Sequence, residues 1–279
     1  LLVGKRIAQV SSWLEAVDES TQRVHGYVNT NGAVTGRMTH SKPNLAQVPS
    51  SNSLYGPECR ACWIVPKGYK LVGIDASGLE LRMLAHYMND TEYTNTILTG
   101  DIHTANQMAA GLETRNQAKT FIYAYLYGAG DEKIGSIAGG GRAKGKKLKE
   151  AFLKATPALA ELKEGVAQSA AKGYITGLDG RKVFIRSEHA ALNSLLQSAG
   201  ALVMKQALVI LDDYATRWGL DYKFIGNIHD EFQVEVKESQ AARFGSLAAS
   251  CIEAAGNHFK LRCPLAGEFN IGNNWAETH

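Results

Sequence analysis

The segment FIGNIHDEFQVEV (224–236) decides the fold, because it predicts two strands joined by a tight turn at His229-Asp230. A third strand is predicted in YKLVGID (69–75), which ends on an acid, Asp75. Two acids that are distant in the chain therefore stand at strand ends. Either one has an ordinary explanation, since Asp75 could cap the next helix and Asp230 could satisfy a turn.

Most of the remaining chain has helical periodicity. Residues 79–88 follow Asp75 as a helix, and 101–172 are helical apart from Gly-rich breaks at 128–130 and 139–141. A hairpin is predicted about Asp179-Gly180, followed by a long apolar-faced helix at 189–218. The order of strands, helices and strands predicts a mixed α/β (α+β) fold with a helical insertion.

Composition places the chain among folded proteins. It has 279 residues, 45% hydrophobic and 20% charged, enough for roughly two domains. We find no apolar run near the length of a membrane span, and LLVGKRIAQV does not make a signal peptide. Cys59 and Cys62 lack a second matching pair, which favours free thiols in a reducing compartment.

The segment RNQAKTFIYAYLYG (115–128) repeats one spacing. Arg115, Lys119, Tyr123 and Tyr127 recur every fourth position, so a helix places two cations and two phenols along one face. Residues 115–154 contain nine Lys or Arg against three acids. Such a run is usually a solvated face, but this pattern also fits an anionic partner: the cations can neutralise a triphosphate and an aromatic ring can stack on a base.

The two strand-end acids fit the same chemistry. Carboxylates that converge can hold hard divalent cations, which prefer oxygen ligands. A pair of Mg²⁺ ions can activate an attacking oxygen and stabilise a leaving one. We therefore expect Asp75 and Asp230 to lie together.

Six segments lie along nearly the whole chain, at 34–49, 75–82, 101–103, 115–128, 189–200 and 228–231. In this order they resemble the DNA polymerase I family, or family A, and above all the replicative polymerases of short-tailed bacteriophages. Motifs A, B and C of that family resemble DASGLELR, RNQAKTFIYAYLYG and IHDE. The other three segments are VTGRMTHSKPNLAQVP (34–49), DIH (101–103) and HAALNSLLQSAG (189–200).

The resemblance implies template-directed DNA synthesis, in which a primer 3′-oxygen attacks a dNTP and pyrophosphate leaves. Asp75, Asp230 and the Ala76 carbonyl would hold two Mg²⁺ ions, with Glu231 in support. The implied nucleotide-binding residues are Arg115 and His103 at the outer phosphates, Lys119 at the inner phosphates and as acid for pyrophosphate, Tyr123 beside the sugar and base, and Glu80 as a steric gate against ribonucleotides.

The resemblance also implies contacts with primer–template DNA. Tyr127 and Gly128 would shape the templating position, and His229 would lie near the primer terminus. The remaining implied contacts are Arg37, His189, Asn193 and Gln197. His189 departs from many cellular relatives, which have Arg there.

The family pattern implies a division of the chain by role. Residues 1–22 would be a thumb remnant, 23–81 and 187–279 a palm with an antiparallel sheet, and 82–186 helical fingers. We expect no proofreading carboxylates, and either a processivity factor or polymerase domains absent from this chain as partner. The expected location is the cytoplasm, that of the host for a phage protein, with no membrane partner.

Three other functions use some of the same features. A metal-dependent nuclease needs the two carboxylates but not the Arg, Lys and Tyr ladder. A non-catalytic nucleic-acid-binding fragment of a polymerase needs neither acid. A single-subunit RNA polymerase is disfavoured by Glu80 at the gate position.

Tyr123 generates the first prediction. Many bacterial relatives carry Phe at this position, and a phenolic hydroxyl can replace the hydrogen bond of a missing 3′-hydroxyl. We expect good incorporation of dideoxynucleotides and markedly less by Tyr123→Phe. Chain-termination patterns of the two proteins measure this, and equal termination would refute it.

Overall fold

The computed structural model describes residues 2–185 and 187–279. Its helices are α1 (Leu2–Glu15), α2 (Gly56–Ala61), α3 (Leu79–Met88), α4 (Thr91–Thr99), α5 (Ile102–Ala110), α6 (Arg115–Leu126), α7 (Asp131–Ile137), α8 (Arg142–Ala155), α9 (Pro157–Ala170), α10 (Ala191–Arg217) and α11 (Ala241–His258). Its strands are β1 (Val17–Asp18), β2 (Arg23–Val24), β3 (Tyr27–Asn29), β4 (Thr39–Ser41), β5 (Tyr69–Ala76), β6 (Tyr174–Thr176), β7 (Lys182–Phe184), β8 (Tyr222–Ile228), β9 (Glu231–Lys237) and β10 (Gly267–Gly272).

The described residues form two compact units. We call 2–77, 201–258 and 265–279 the sheet unit, and 78–185, 187–200 and 259–264 the helical unit. This division reflects packing, whereas thumb, palm and fingers are divisions by role and stay a prediction.

The sheet unit contains a four-stranded antiparallel sheet in the order β10-β5-β9-β8. The predicted strands β5, β8 and β9 are confirmed, as is the turn between β8 and β9. Neither β10 nor α11 was predicted from the sequence. Gly245 of α11 leaves no room for a Cβ atom against the Phe269 ring of β10, so the helix lies closely on this part of the sheet.

The helical unit is built around aromatic side chains. Phe121 and Tyr125 of α6 stack, with centroids 5.8 Å apart, and both meet the Phe152 ring of α8 edge-on. The predicted helical region 101–172 is confirmed as five helices, and the predicted hairpin about Asp179-Gly180 as β6 and β7. These edge-on and offset contacts are the arrangements that aromatic rings favour.

The sequence expectation that no apolar segment comes near the length of a membrane span is wrong. Within the described residues, one helix, Glu188–Arg217, is long and apolar enough to cross a membrane by length and composition. Of its most apolar window, 56% is buried inside the protein. Core helices pass the same test, so this is weak evidence for a membrane span.

A buried carboxylate ties the strand β2 to the sheet. Glu235 of β9 is 1% exposed and accepts two bonds from Arg23 Nη2, at 3.0 and 2.8 Å, and one from Lys223 Nζ at 3.0 Å. Lys223 lies directly opposite Glu235 on β8. Opposite charges at such positions stabilise a sheet, and both cations compensate the burial of one anion.

This arrangement predicts an asymmetry in stability. The double variant Arg23→Ala/Lys223→Ala leaves a buried carboxylate without a cation and should lower the free energy of unfolding by about 3 kcal/mol. Glu235→Gln leaves only cations that can reach solvent and should cost less. Urea unfolding of the three proteins measures this, and equal losses would contradict the buried-charge explanation.

Candidate active site

The pairing of β5 with β9 brings Asp75 and Asp230 together. Asp75 lies opposite Glu231 in the ladder, and the Ala76 amide donates to the Asp230 carbonyl at 3.1 Å. Asp230 follows His229, whose φ of 60° is left-handed. This backbone conformation is uncommon for a residue with a side chain and is often found at functional sites.

The negative charges at this position repel one another. Surrounding protein, and then the negative charges of Asp230 and Glu231, raise the pKa of Asp75 to about 7. The Asp75 side chain nevertheless keeps an open side toward solvent. It does not cap α3, because Gly78 is the N-cap and no side chain caps that helix. The capping explanation for Asp75 is therefore wrong.

Glu231 is held differently. Trp275 Nε1 donates to Glu231 Oε1 at 2.7 Å, Gln233 Nε2 donates to the same oxygen, and His279 Nδ1 lies 3.0 Å from Oε2. Burial acts to raise the pKa of Glu231, but the bonds from His279, Gln233 and Trp275 outweigh it and hold the pKa below its ordinary value. Both oxygens of Glu231 are thus engaged within the protein.

The oxygen donors suit a hard divalent cation. In the described residues, no group of three or more His, Cys, Asp and Glu side chains is arranged to hold a metal ion. A cation here would therefore use Asp75, Asp230 and main-chain oxygen such as that of Ala76. Two carboxylates and a carbonyl leave room for water or substrate oxygens, as Mg²⁺ usually requires.

A small cavity of about 30 Å³ lies in the sheet unit, beside the turn between β8 and β9. Its lining includes Arg37 and His229, both predicted to contact DNA, together with Asn227 and Lys205. Lys205 had no predicted role, and its Nζ donates to the Thr30 carbonyl at 2.6 Å.

In the helical unit, α6 presents the predicted face. Arg115 and Lys119 are exposed and Tyr123 is half-buried, whereas Ala118, Phe121, Ile122, Tyr125 and Leu126 are buried. Thr114 begins the helix in a capping box with Gln117, which places Arg115 at the first helical position. Tyr127 is the residue at which the helix ends.

His103 of α5 lies beside this face. Its ring centroid is 6.3 Å from that of Tyr123. Burial, and then the positive charges of Arg115 and Lys119, lower the pKa of His103. Arg115 Nε donates to Asp101 Oδ2 at 2.6 Å, so an acid without a predicted role joins the cluster. The structure thus brings His103, Arg115, Lys119 and Tyr123 together.

The remaining predicted residues of the helical unit form three local pairs. Tyr127 donates its hydroxyl to Glu80 Oε1 at 3.1 Å. A Cβ atom on Gly128 would lie 3.0 Å from the His189 carbonyl, and its φ of 76° also favours glycine. Asn193 and Gln197 are joined by a 3.0 Å bond along α10.

Comparisons with known proteins agree with this architecture. Residues 5–277 match DNA polymerase family A. The chain is 46% identical to the DNA-directed DNA polymerase of Enterobacteria phage T3 and 45% identical to that of Escherichia phage T7, in both cases over 100% of this chain. It is 28% identical to DNA polymerase I of Pseudomonas aeruginosa, over 95% of this chain and 31% of that protein. The chain belongs to DNA polymerase family A.

A solved structure shows the same fold. The POL domain of Pol1 from M. smegmatis, in complex with DNA primer-template and dNTP, has a TM-score of 0.88 and 24% identity, covering 97% of this chain and 51% of that one. The present chain spans 45% of the length of each of the two phage relatives.

The carboxylate pair generates a prediction about metal and stability. In EDTA at pH 8, Asp230→Asn should raise Tm by about 2 °C or more, because it removes repulsion with Asp75. Added Mg²⁺ should raise the Tm of the wild type and have less effect on Asp230→Asn. Calorimetry measures both.

The exposed Glu253 of α11 provides a matched control. Glu253→Gln removes one negative charge from the same unit and should respond to Mg²⁺ as the wild type does. A Mg²⁺ effect that is equal in wild type and Asp230→Asn would contradict the assignment of Asp230 as a ligand.

Proposed function

We propose that this chain carries out template-directed DNA synthesis, adding dNTPs to a primer 3′-hydroxyl with release of pyrophosphate. The observation that carries the proposal is the pair Asp75 and Asp230 at the ends of hydrogen-bonded strands, in a chain of family A. Family membership implies the use of a divalent metal, and we assign two Mg²⁺ ions to these acids.

Asp75, Asp230 and the Ala76 carbonyl would hold the ions. When bound, Mg²⁺ would supply charge stabilisation for the attacking and leaving oxygens. Asp75 is suited to this role because burial, and then the negative charges of Asp230 and Glu231, raise its pKa, and a cation would favour its charged form. Glu231 would support the site by fixing the end of β9, since its own oxygens are engaged by Trp275, Gln233 and His279.

The α6 face would bind the triphosphate. Arg115 and His103 would contact the outer phosphates, and Lys119 the inner phosphates. Exposed cations at the start of a helix neutralise phosphate charge without a large loss of solvation. Lys119 would donate a proton to the departing pyrophosphate. Tyr123, half-buried beside His103, would lie against the sugar and base.

Two contacts would select the nucleotide. Glu80 would exclude a 2′-hydroxyl together with Tyr123, and its bond from Tyr127 supports a fixed carboxylate at that position. Tyr127 and Gly128 would form the templating position. The other primer–template contacts that we propose are Arg37, His189, Asn193, Gln197 and His229.

The partners follow from this reaction. They are primer–template DNA, dNTPs and further polymerase segments or a processivity factor, because the chain spans only 45% of the length of its phage relatives. We propose that residues 23–81 and 187–279 act as palm, 82–186 as fingers and 1–22 as the end of a thumb. The proposed location is the cytoplasm.

Primer extension tests the function. The purified chain with Mg²⁺, a labelled primer–template and all four dNTPs should lengthen the primer. Asp230→Asn should reduce the rate by about 100-fold or more, because the charge stabilisation supplied by a metal is worth several kcal/mol. Glu253→Gln, with the same change in charge, should retain the wild-type rate.

The same assay separates the alternatives. Shortening of the primer without dNTPs, also lost in Asp230→Asn, would indicate a nuclease. Binding of primer–template with neither lengthening nor shortening would indicate a non-catalytic DNA-binding chain. Either result would overturn the proposal.

A further inference from the structure

The Asp101 carboxylate accepts four hydrogen bonds where α5 and α6 lie side by side. Oδ1 accepts from the amides of His103 at 3.0 Å and Thr104 at 3.3 Å. Oδ2 accepts from the Thr104 hydroxyl at 2.9 Å and from Arg115 Nε at 2.6 Å. Three of the donors belong to the first turn of α5, so the orientation of the carboxylate is fixed independently of Arg115.

The way in which Arg115 is held leaves most of its donors available. A guanidinium has five N–H groups in a planar fork, and one of them belongs to Nε. The bond to Asp101 uses Nε and therefore orients the plane of the fork. The bidentate Nη groups, which match the oxygens of a phosphate, are not used by this bond.

Stability does not explain this ion pair. Both side chains are about half exposed, at 51% for Arg115 and 43% for Asp101, and such surface pairs contribute little to folding. The bond from Arg115 is the largest cause of the lowered pKa of Asp101. An exposed acid with a strongly preferred cation is better explained by the orientation of that cation.

A neighbouring helix shows what capping alone requires. Asp90 is the N-cap of α4 and accepts from the Tyr93 amide at 3.0 Å. The same residue type thus begins two consecutive helices of this unit, and Asp101 in addition accepts a bond from the Arg115 guanidinium. Asp101 also fixes the amide of His103, whose ring stands beside Tyr123.

We propose that Asp101 is a positioning residue for the incoming nucleotide: it holds the Arg115 guanidinium through Nε and so presents both Nη groups to the triphosphate. This inference rests on the proposed function only in taking Arg115 as a triphosphate ligand. Without Asp101, the ordering of a long, exposed side chain would have to occur on binding, which weakens affinity.

The test compares Asp101→Ser with Asp90→Asn. Serine keeps an N-cap but lacks the carboxylate that meets Arg115. We expect Asp101→Ser to raise the KM for dNTP about five-fold with kcat within about two-fold, since ordering one long side chain is worth about that factor. Asp90→Asn should leave KM unchanged. Unfolding curves of each variant establish that the fold is intact.

Coupling to Arg115 identifies the mechanism. In an Arg115→Ala background, Asp101→Ser should change KM by less than about two-fold, because its target is gone. An unchanged or lower KM in Asp101→Ser alone would overturn the inference, and a lower value would mean that Asp101 competes with phosphate. An equal rise in Asp90→Asn would also overturn it, since helix capping would then suffice.

A second readout needs no turnover. A dNTP should raise the Tm of the wild type more than that of Asp101→Ser at the same concentration. If the wild type shows this difference but extends no primer, the proposed function fails and the inference stands. A wild type that is neither active nor stabilised by dNTP would overturn both.

Discussion

The antiparallel pairing of β5 with β9 is the interaction on which the candidate site depends. Its register sets Asp75 opposite Glu231 and lets the Ala76 amide reach the Asp230 carbonyl. A shift of one residue would turn the Asp75 side chain to the other face of the sheet. Because β9 is buried along Glu231–Val236, the packing of this strand holds the register against the repulsion between the acids.

The two faces of β9 differ in polarity. Phe232, Val234 and Val236 alternate with Glu231, Gln233 and Glu235, so one face is apolar and the other polar. The two buried acids on the polar face are stabilised differently. Glu231 takes donors from Trp275, Gln233 and His279, whereas Glu235 is neutralised by Arg23 and Lys223. Each buried acid is therefore compensated by its own set of partners.

In both units, groups that carry the same charge lie close enough to repel one another. In the sheet unit, burial and then the negative charges of Asp230 and Glu231 raise the pKa of Asp75. In the helical unit, burial and then the positive charges of Arg115 and Lys119 lower the pKa of His103. Like charges gathered in this way are an arrangement that a bound partner of opposite charge would relieve, a cation in one case and a polyanion in the other.

Local periodicity was sufficient to predict β5, β8, β9, the helices of 101–172 and the α6 face, because it reports which side of a segment is buried. The carboxylate pair was predicted from two strand ends. The edge strand β10 and its helix α11 could not be predicted in this way, since β10 acquires its role by pairing with β5. Likewise, Asp101 meets Arg115, Trp275 meets Glu231 and Arg23 meets Glu235 only because the fold brings together segments 14, 44 and 212 residues apart. Sequence patterns determined the faces; the tertiary structure decided the partners, because hydrogen bonds and ion pairs depend on distances that the order of residues does not contain.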